Sequence, residues 1–129
     1  MKNEKVNEFH RHRTLKELLT FGAETYSEDP AFLYKEKKEE VVVSYRKFKE
    51  DVDGLGTWFY RNGYKNCRIA VFGENSYQWI LAHFAATCGK NVIVPIDKDM
   101  PSEGIVELLE DSECRFMIYS DQYEDVAQA

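Results

Sequence analysis

Few side chains in this sequence are both reactive and grouped. His10 and His12 stand in the run HRHR, and His83 lies in QWILAHFAAT. A metal site would need partners that the neighbourhood of these two histidines does not supply, so a tail is the simpler reading of HRHR. His83, among apolar neighbours, reads as a packed or surface residue. Cys67, Cys88 and Cys114 are odd in number and far apart, which argues against a disulfide framework and leaves no CxxC pair for zinc or redox work. They read as small buried hydrophobes. Gly54 and Gly56 imitate part of a dinucleotide fingerprint, but they fall inside an amphipathic helical pattern and lack the third glycine. Close helix packing is the expectation there. Glu107, Glu110 and Asp111 read as the solvated side of a helix.

Two loops place polar groups where an α/β sheet binds ligands. Glu74-Asn75-Ser76 follows the apolar run RIAVFG and precedes a helical pattern. A ligand could meet it there, or Asn75 or Ser76 could cap the helix. Lys98, in PIDKDMP, also leaves the end of an apolar run; it could meet an anionic ligand or stay solvated.

The elements that would position these loops follow from periodicity. Thr14 with Glu17 forms a capping-box pattern, and Leu15, Leu18 and Leu19 predict a helix running toward Tyr26, closed before Asp29-Pro30. AFLYKEKKEEVVVSY predicts two short strands around a charged tip, Lys35 to Glu40. From Ser44, the face Phe48, Val52, Leu55 and Phe59 predicts a second helix that stops at Asn62-Gly63. Then strands and helices alternate: RIAVFG, a helix from Ser76 to Gly89, NVIVP, a helix with Ile105, Leu108 and Leu109 inward, and RFMIYS. That alternation predicts βαβ crossovers and a parallel sheet. The fold class is therefore α/β, a parallel sheet of βαβ units with flanking helices, preceded by an N-terminal helix and a short hairpin.

Composition sets outer bounds. At 129 residues and 43% hydrophobic, the chain is one domain's worth of sequence and can bury a core. A net charge of −6 argues against nucleic acid as a partner. MKNEKVNEFHRHR has no apolar run of the kind a signal peptide needs, and no window is apolar enough to span a membrane. A reducing, cytoplasmic setting is expected.

TCGKNVIVPIDKDMPSEGIVELLEDS resembles the segment of AMP-forming adenylating enzymes that reads like kaGavyvPldp..p.eri.ymledS. This superfamily takes in acyl-CoA synthetases, peptide-synthetase adenylation domains and luciferases. VSYRKF (Val43 to Phe48) is similar to the family's early lTYxeL motif, RIAVFGENSYQWILAHFA to its next strand and helix, and CRFMIYS to the strand after leDS. The likeness runs from Thr14 to Tyr119. GENSYQW and VPIDKDMPSE look most like bacterial-type long-chain fatty-acid–CoA ligases, with a peptide-synthetase adenylation domain as the alternative.

The resemblance implies a tail over 1–13 and part of a large N-terminal domain over 14–129. It implies a longer protein that uses ATP, Mg and CoA to convert a fatty acid to its CoA thioester through an acyl-adenylate. The family's Ser/Thr/Gly-rich phosphate loop ending in Pro-Lys-Gly does not occur in these residues, nor do its later motifs and catalytic lysine. No catalytic residue is therefore assigned, and a fragment is expected to be inactive and to self-associate through uncovered sheet. Some members place an arginine near the CoA phosphates in the loop after the second strand. Asp99 stands at that position here, and adjacent Lys98 is the candidate CoA-phosphate contact. A stand-alone α/β binding module, or a regulatory protein derived from a ligase, is the reading from a different class.

Overall fold

A computed structural model describes residues 11–128; His10 and most of the expected tail lie outside them. Helix α1 (Leu15–Tyr26) starts where the capping box places it, with Thr14 Oγ1 accepting the Glu17 N–H at 3.1 Å. Strands β1 (Pro30–Glu36) and β2 (Glu39–Ser44) form an antiparallel hairpin. The charged tip is shorter than expected. Glu36 pairs with Glu39, and the turn is only Lys37 and Lys38, at φ 49° and 68°. Positive φ at both central residues is the geometry that matches strand twist, and two lysines adopt it without the usual Asn-Gly signal.

Ser44 caps α2 (Tyr45–Arg61) by accepting the Lys47 N–H. Phe48, Val52 and Phe59 are buried along one face, with Leu55 packed against the same cluster. Gly63, at φ 80°, lets the chain leave the helix. The close-packing expectation is weak at Gly56, where an added Cβ would lie 3.9 Å from Ala85 O, an ordinary contact distance. It fails at Gly54, which is exposed and would have nothing within 4 Å of an added Cβ.

Strand β3 (Arg68–Phe72) leads to α3 (Tyr77–Cys88), β4 (Val92–Ile96), α4 (Ser102–Asp111) and β5 (Cys114–Tyr119). The three strands form one sheet, ordered β4-β3-β5, with β3 parallel to both neighbours. A single 3-10 turn (Asp121–Tyr123) and α5 (Glu124–Gln128) follow. Alternate residues of β3 feed two cores. Ile69 joins Phe59, Val52 and the inner side of α3, while Ala70 and Phe72 join Ile96 and Ile105 of α4. Helices α2 and α3 therefore cover one face of the sheet and α4 the other. Period-two alternation on a central strand places side chains this way.

The three cysteines are free and half-buried, packed at the margins of these cores rather than at their centres. Asn91 is the one buried polar residue in the described core. It accepts the Cys67 N–H and donates to Tyr64 O, which ties the start of β4 to the loop before β3. Glu107, Glu110 and Asp111 face solvent, as expected. No helix of the described residues is long and apolar enough to cross a membrane.

Candidate functional site

The strand order opens a crevice between β3 and β5. After β3 the chain turns onto the α3 face. After β5 it turns onto the other, where Tyr123 packs on Phe72 at 5.0 Å between ring centroids. Adjacent parallel strands whose exits diverge leave a gap at their carboxyl ends, and open α/β sheets bind ligands in such gaps. Here the gap is a cleft of about 200 Å³ between the ends of β3 and β5, with Trp79 and Ile118 among its walls.

Glu74 is the charged residue of this lining. Its Oε1 accepts the Ser120 hydroxyl at 3.0 Å, joining two loops 46 residues apart in sequence. The clasp needs Gly73. A Cβ there would lie 3.0 Å from Ser120 Cβ and 3.4 Å from Ser120 N, and Ser120 N donates to Phe72 O at 3.0 Å. The second oxygen, Oε2, is buried without a hydrogen-bond partner. Ser76 caps α3 by accepting the Trp79 N–H at 3.1 Å, so of the two capping candidates it is Ser76 that acts, while Asn75 is exposed.

Behind the crevice, α3 is anchored to α2. Tyr77 donates to Asp51 Oδ2 at 2.6 Å, and Lys47 Nζ lies 2.7 Å from Asp51 Oδ1. Burial pulls the Asp51 carboxyl upward, but the hydrogen bonds from Lys47 and Tyr77 outweigh it and leave the group below its ordinary value. Burial, then the bond to Asp51, pushes the Tyr77 phenol well above the tyrosine range. A carboxyl held low in the fold adds stability above the ordinary carboxylate pKa and loses it as pH falls through the lowered value. Tyr77→Phe should cost roughly 1–2 kcal/mol near neutral pH and flatten the acid limb of stability. Urea unfolding of both proteins from about pH 2 to pH 7 checks this, and parallel acid limbs would refute it.

The other sequence candidates do not converge on the crevice. Lys98 lies at the carboxyl end of β4, with Nζ 3.3 Å from Asp99 Oδ1; that hydrogen bond, first, raises its pKa. His12 rests on Phe21, with centroids 4.9 Å apart. His83 stacks on Trp79 at 5.6 Å, with Nδ1 buried and unpartnered. Among the described residues, no group of three His, Cys, Asp or Glu could hold a metal ion. Ser120 and Gly73 escaped the sequence reading. Parallel register pairs Phe72 with Tyr119, so a small residue after each strand was the available signal.

The sequence profile of the AMP-binding enzymes matches residues 19–129. The chain belongs to the AMP-binding enzyme family. Among curated relatives of this family member, tyrocidine synthase 2 of Brevibacillus parabrevis is 26% identical over 117 residues, which is 90% of this chain and 3% of the synthase. A Rhodopseudomonas palustris structure described as a long-chain-fatty-acid CoA ligase superposes with a TM-score of 0.81 at 18% identity, covering 89% of this chain and 28% of that one. The N-terminal domain of FACL13 from Mycobacterium tuberculosis gives 0.81 at 20% identity, covering 91% and 29%. At such identities the structural matches establish the fold: the three-stranded parallel sheet, its helices, the leading helix and the hairpin are those of adenylating-enzyme N-terminal regions. This AMP-binding family chain spans under a third of each relative.

Proposed function

We propose that these residues are scaffold in a longer AMP-forming acid–CoA ligase acting on a long-chain fatty acid with ATP, Mg and CoA. The family match over residues 19–129 carries this reading, and the fold shared with a protein described as a long-chain-fatty-acid CoA ligase supports the choice of acid. In this reading β3, β4 and β5 form a wall against which the nucleotide site is assembled from other residues. Lys98 meets a CoA phosphate only if it exchanges its Asp99 partner for one, an exchange its exposed position permits. The three free cysteines fit a cytoplasmic setting.

The similarity to tyrocidine synthase 2 favours a second reading, an adenylation domain of the peptide-synthetase type. A receiver-like binding module is less well supported. It needs clustered aspartates at the end of the first parallel strand, where only Glu74 stands. The discriminating assay gives the longer protein fatty acids of graded length and, separately, amino acids, and follows AMP release with and without CoA. CoA-dependent AMP release with a fatty acid is the expected result. An amino acid preferred without CoA dependence selects the second reading, and release of ADP overturns both. The outer edges of β4 and β5 have no partner strand among the described residues, so the isolated chain should self-associate, which sedimentation velocity reads directly.

A further inference from the structure

We propose that a second cleft, at the other end of the sheet, binds an aryl phosphate, with the ammonium groups of Lys16 and Lys65 on its charged head. This cleft holds about 350 Å³, within the size range of small-molecule sites, and lies where α2 and α3 end. Its residues Tyr64, Lys65 and Asn91 come just before β3 and β4, so it sits at the strands' amino ends, whereas the β3–β5 crevice sits at their carboxyl ends. The acid–CoA ligase reading above uses none of its groups.

The charges of the lining favour an anion. Lys16 comes from α1 and Lys65 from the loop before β3, and neither has an ion-pair partner among the described residues. Lys65 Nζ rests 3.9 Å from the centre of the Tyr60 ring, which steadies its ammonium at the rim without neutralising it. Burial pushes the Cys88 thiol up and the charge of Lys16 pulls it back, so Lys16 acts on the same wall. The carboxylate of the lining, Asp53, is already taken by Lys49 at 2.6 Å. Helix ends often present bare carbonyls that would repel an anion. Here the carbonyls of Trp58, Phe59 and Tyr60 accept the N–H groups of Asn62, Tyr64 and Gly63, and those of Ala85, Ala86 and Thr87 accept from Gly89, Asn91 and Lys90. The floor suits a flat apolar body: Val52 and Ala85 are buried apolar side chains, and Gly56 adds none. A ring laid there leaves water at a gain proportional to its area. Two ammonium groups match the nearly doubled charge of a phosphate ester better than the single charge of a carboxylate.

The ring and head can belong to a free aryl phosphate or to a phosphotyrosine side chain, and two probes separate these sources. The 129-residue chain is titrated with phenyl phosphate and with N-acetyl-phosphotyrosine-N-methylamide, each to about 20 mM at constant ionic strength, while amide shifts are followed by NMR. Exposed lysines contribute little each, so binding is expected at roughly millimolar levels. Saturable shifts at Gly56, Lys65, Cys88 and Gly89 are the expected result. Tighter binding of the phosphotyrosine amide assigns the cleft to a side chain, and equal or weaker binding assigns it to a free molecule. Lys16→Gln and Lys65→Gln should each weaken phenyl phosphate by about two- to five-fold, and together by about ten-fold. Both positions are exposed, so the variants keep the fold. Lys90→Gln, exposed but outside the lining, should leave binding unchanged. Phenol, which lacks the charge, and inorganic phosphate, which lacks the ring, should both bind more weakly than phenyl phosphate. The proposal is overturned if neither probe gives saturable shifts at these amides, or if the double variant binds as the unmutated chain does. Equal weakening by Lys90→Gln would reduce the effect to overall charge and overturn it too, as would phenol or inorganic phosphate binding as tightly as phenyl phosphate.

Discussion

Phe59→Ala lowers the unfolding free energy by about 3–5 kcal/mol, a large share of the roughly 5–15 kcal/mol that holds a domain together. Phe59 is 1% exposed and sits where three elements meet. Its ring lies 5.6 Å from Phe116 of β5 and packs in one cluster with Ile69 of β3 and Val52 of its own helix. Its carbonyl accepts the Tyr64 N–H at 2.9 Å, so the loop that returns the chain to the sheet starts from the same residue. Truncation removes the ring's transfer energy and leaves a cavity bounded by helix and sheet, neither of which can close it without losing the other's contacts. Urea unfolding followed by circular dichroism measures the loss. Tyr60→Ala, next in sequence but 64% exposed, should stay within about 1 kcal/mol, since its cation–π contact with Lys65 is a surface one. A Phe59→Ala protein as stable as the Tyr60→Ala protein would refute this account of the core.

Local pattern carried the elements well. The runs RIAVF, VIVPI and CRFMIY became three parallel strands because short apolar stretches separated by helical periods have few other ways to bury both faces. Thr14, Ser44 and Ser76 cap where the sequence places them, since a hydroxyl one residue before a helix has an unpaired N–H within reach. The hairpin tip was misjudged because lysine gives no hint that it will adopt positive φ.

The crevice was not legible in the same way. Glu74 could be singled out as a residue after a strand, but its partner Ser120 is 46 residues on, and only the order β4-β3-β5 puts them side by side. Strand order depends on which helices cover which face, a tertiary matter that no local window contains. The same holds for Asn91, which looks like a loop residue after Gly89-Lys90 and proves to be the buried bridge between Cys67 and Tyr64.

Supplied with ATP, magnesium and a fatty acid, the 129-residue chain should give no acid-dependent exchange of pyrophosphate into ATP. Forming an acyl-adenylate builds negative charge on a phosphoryl group, and enzymes offset it with positioned cations and N–H donors, each worth about 10²–10³ in rate. This sequence has no Ser/Thr/Gly-rich loop ending in Pro-Lys-Gly. Among the described residues no three His, Cys, Asp or Glu side chains come together to hold a metal ion. In the cleft at the carboxyl ends of β3 and β5 the charged residue is Glu74, whose charge would repel a phosphate. Lys98 is the basic candidate from the sequence, and a single exposed lysine paired with Asp99 cannot replace a phosphate-binding loop. With each of these contributions missing, the rate should fall to that of the buffer blank, whereas the longer protein carrying the same residues should exchange readily. The comparison is made at equal molar concentration, with the acid omitted as the blank. Exchange that scales with the concentration of the short chain, and survives a second, orthogonal purification, would show that these residues hold catalytic groups of their own and would overturn the scaffold reading.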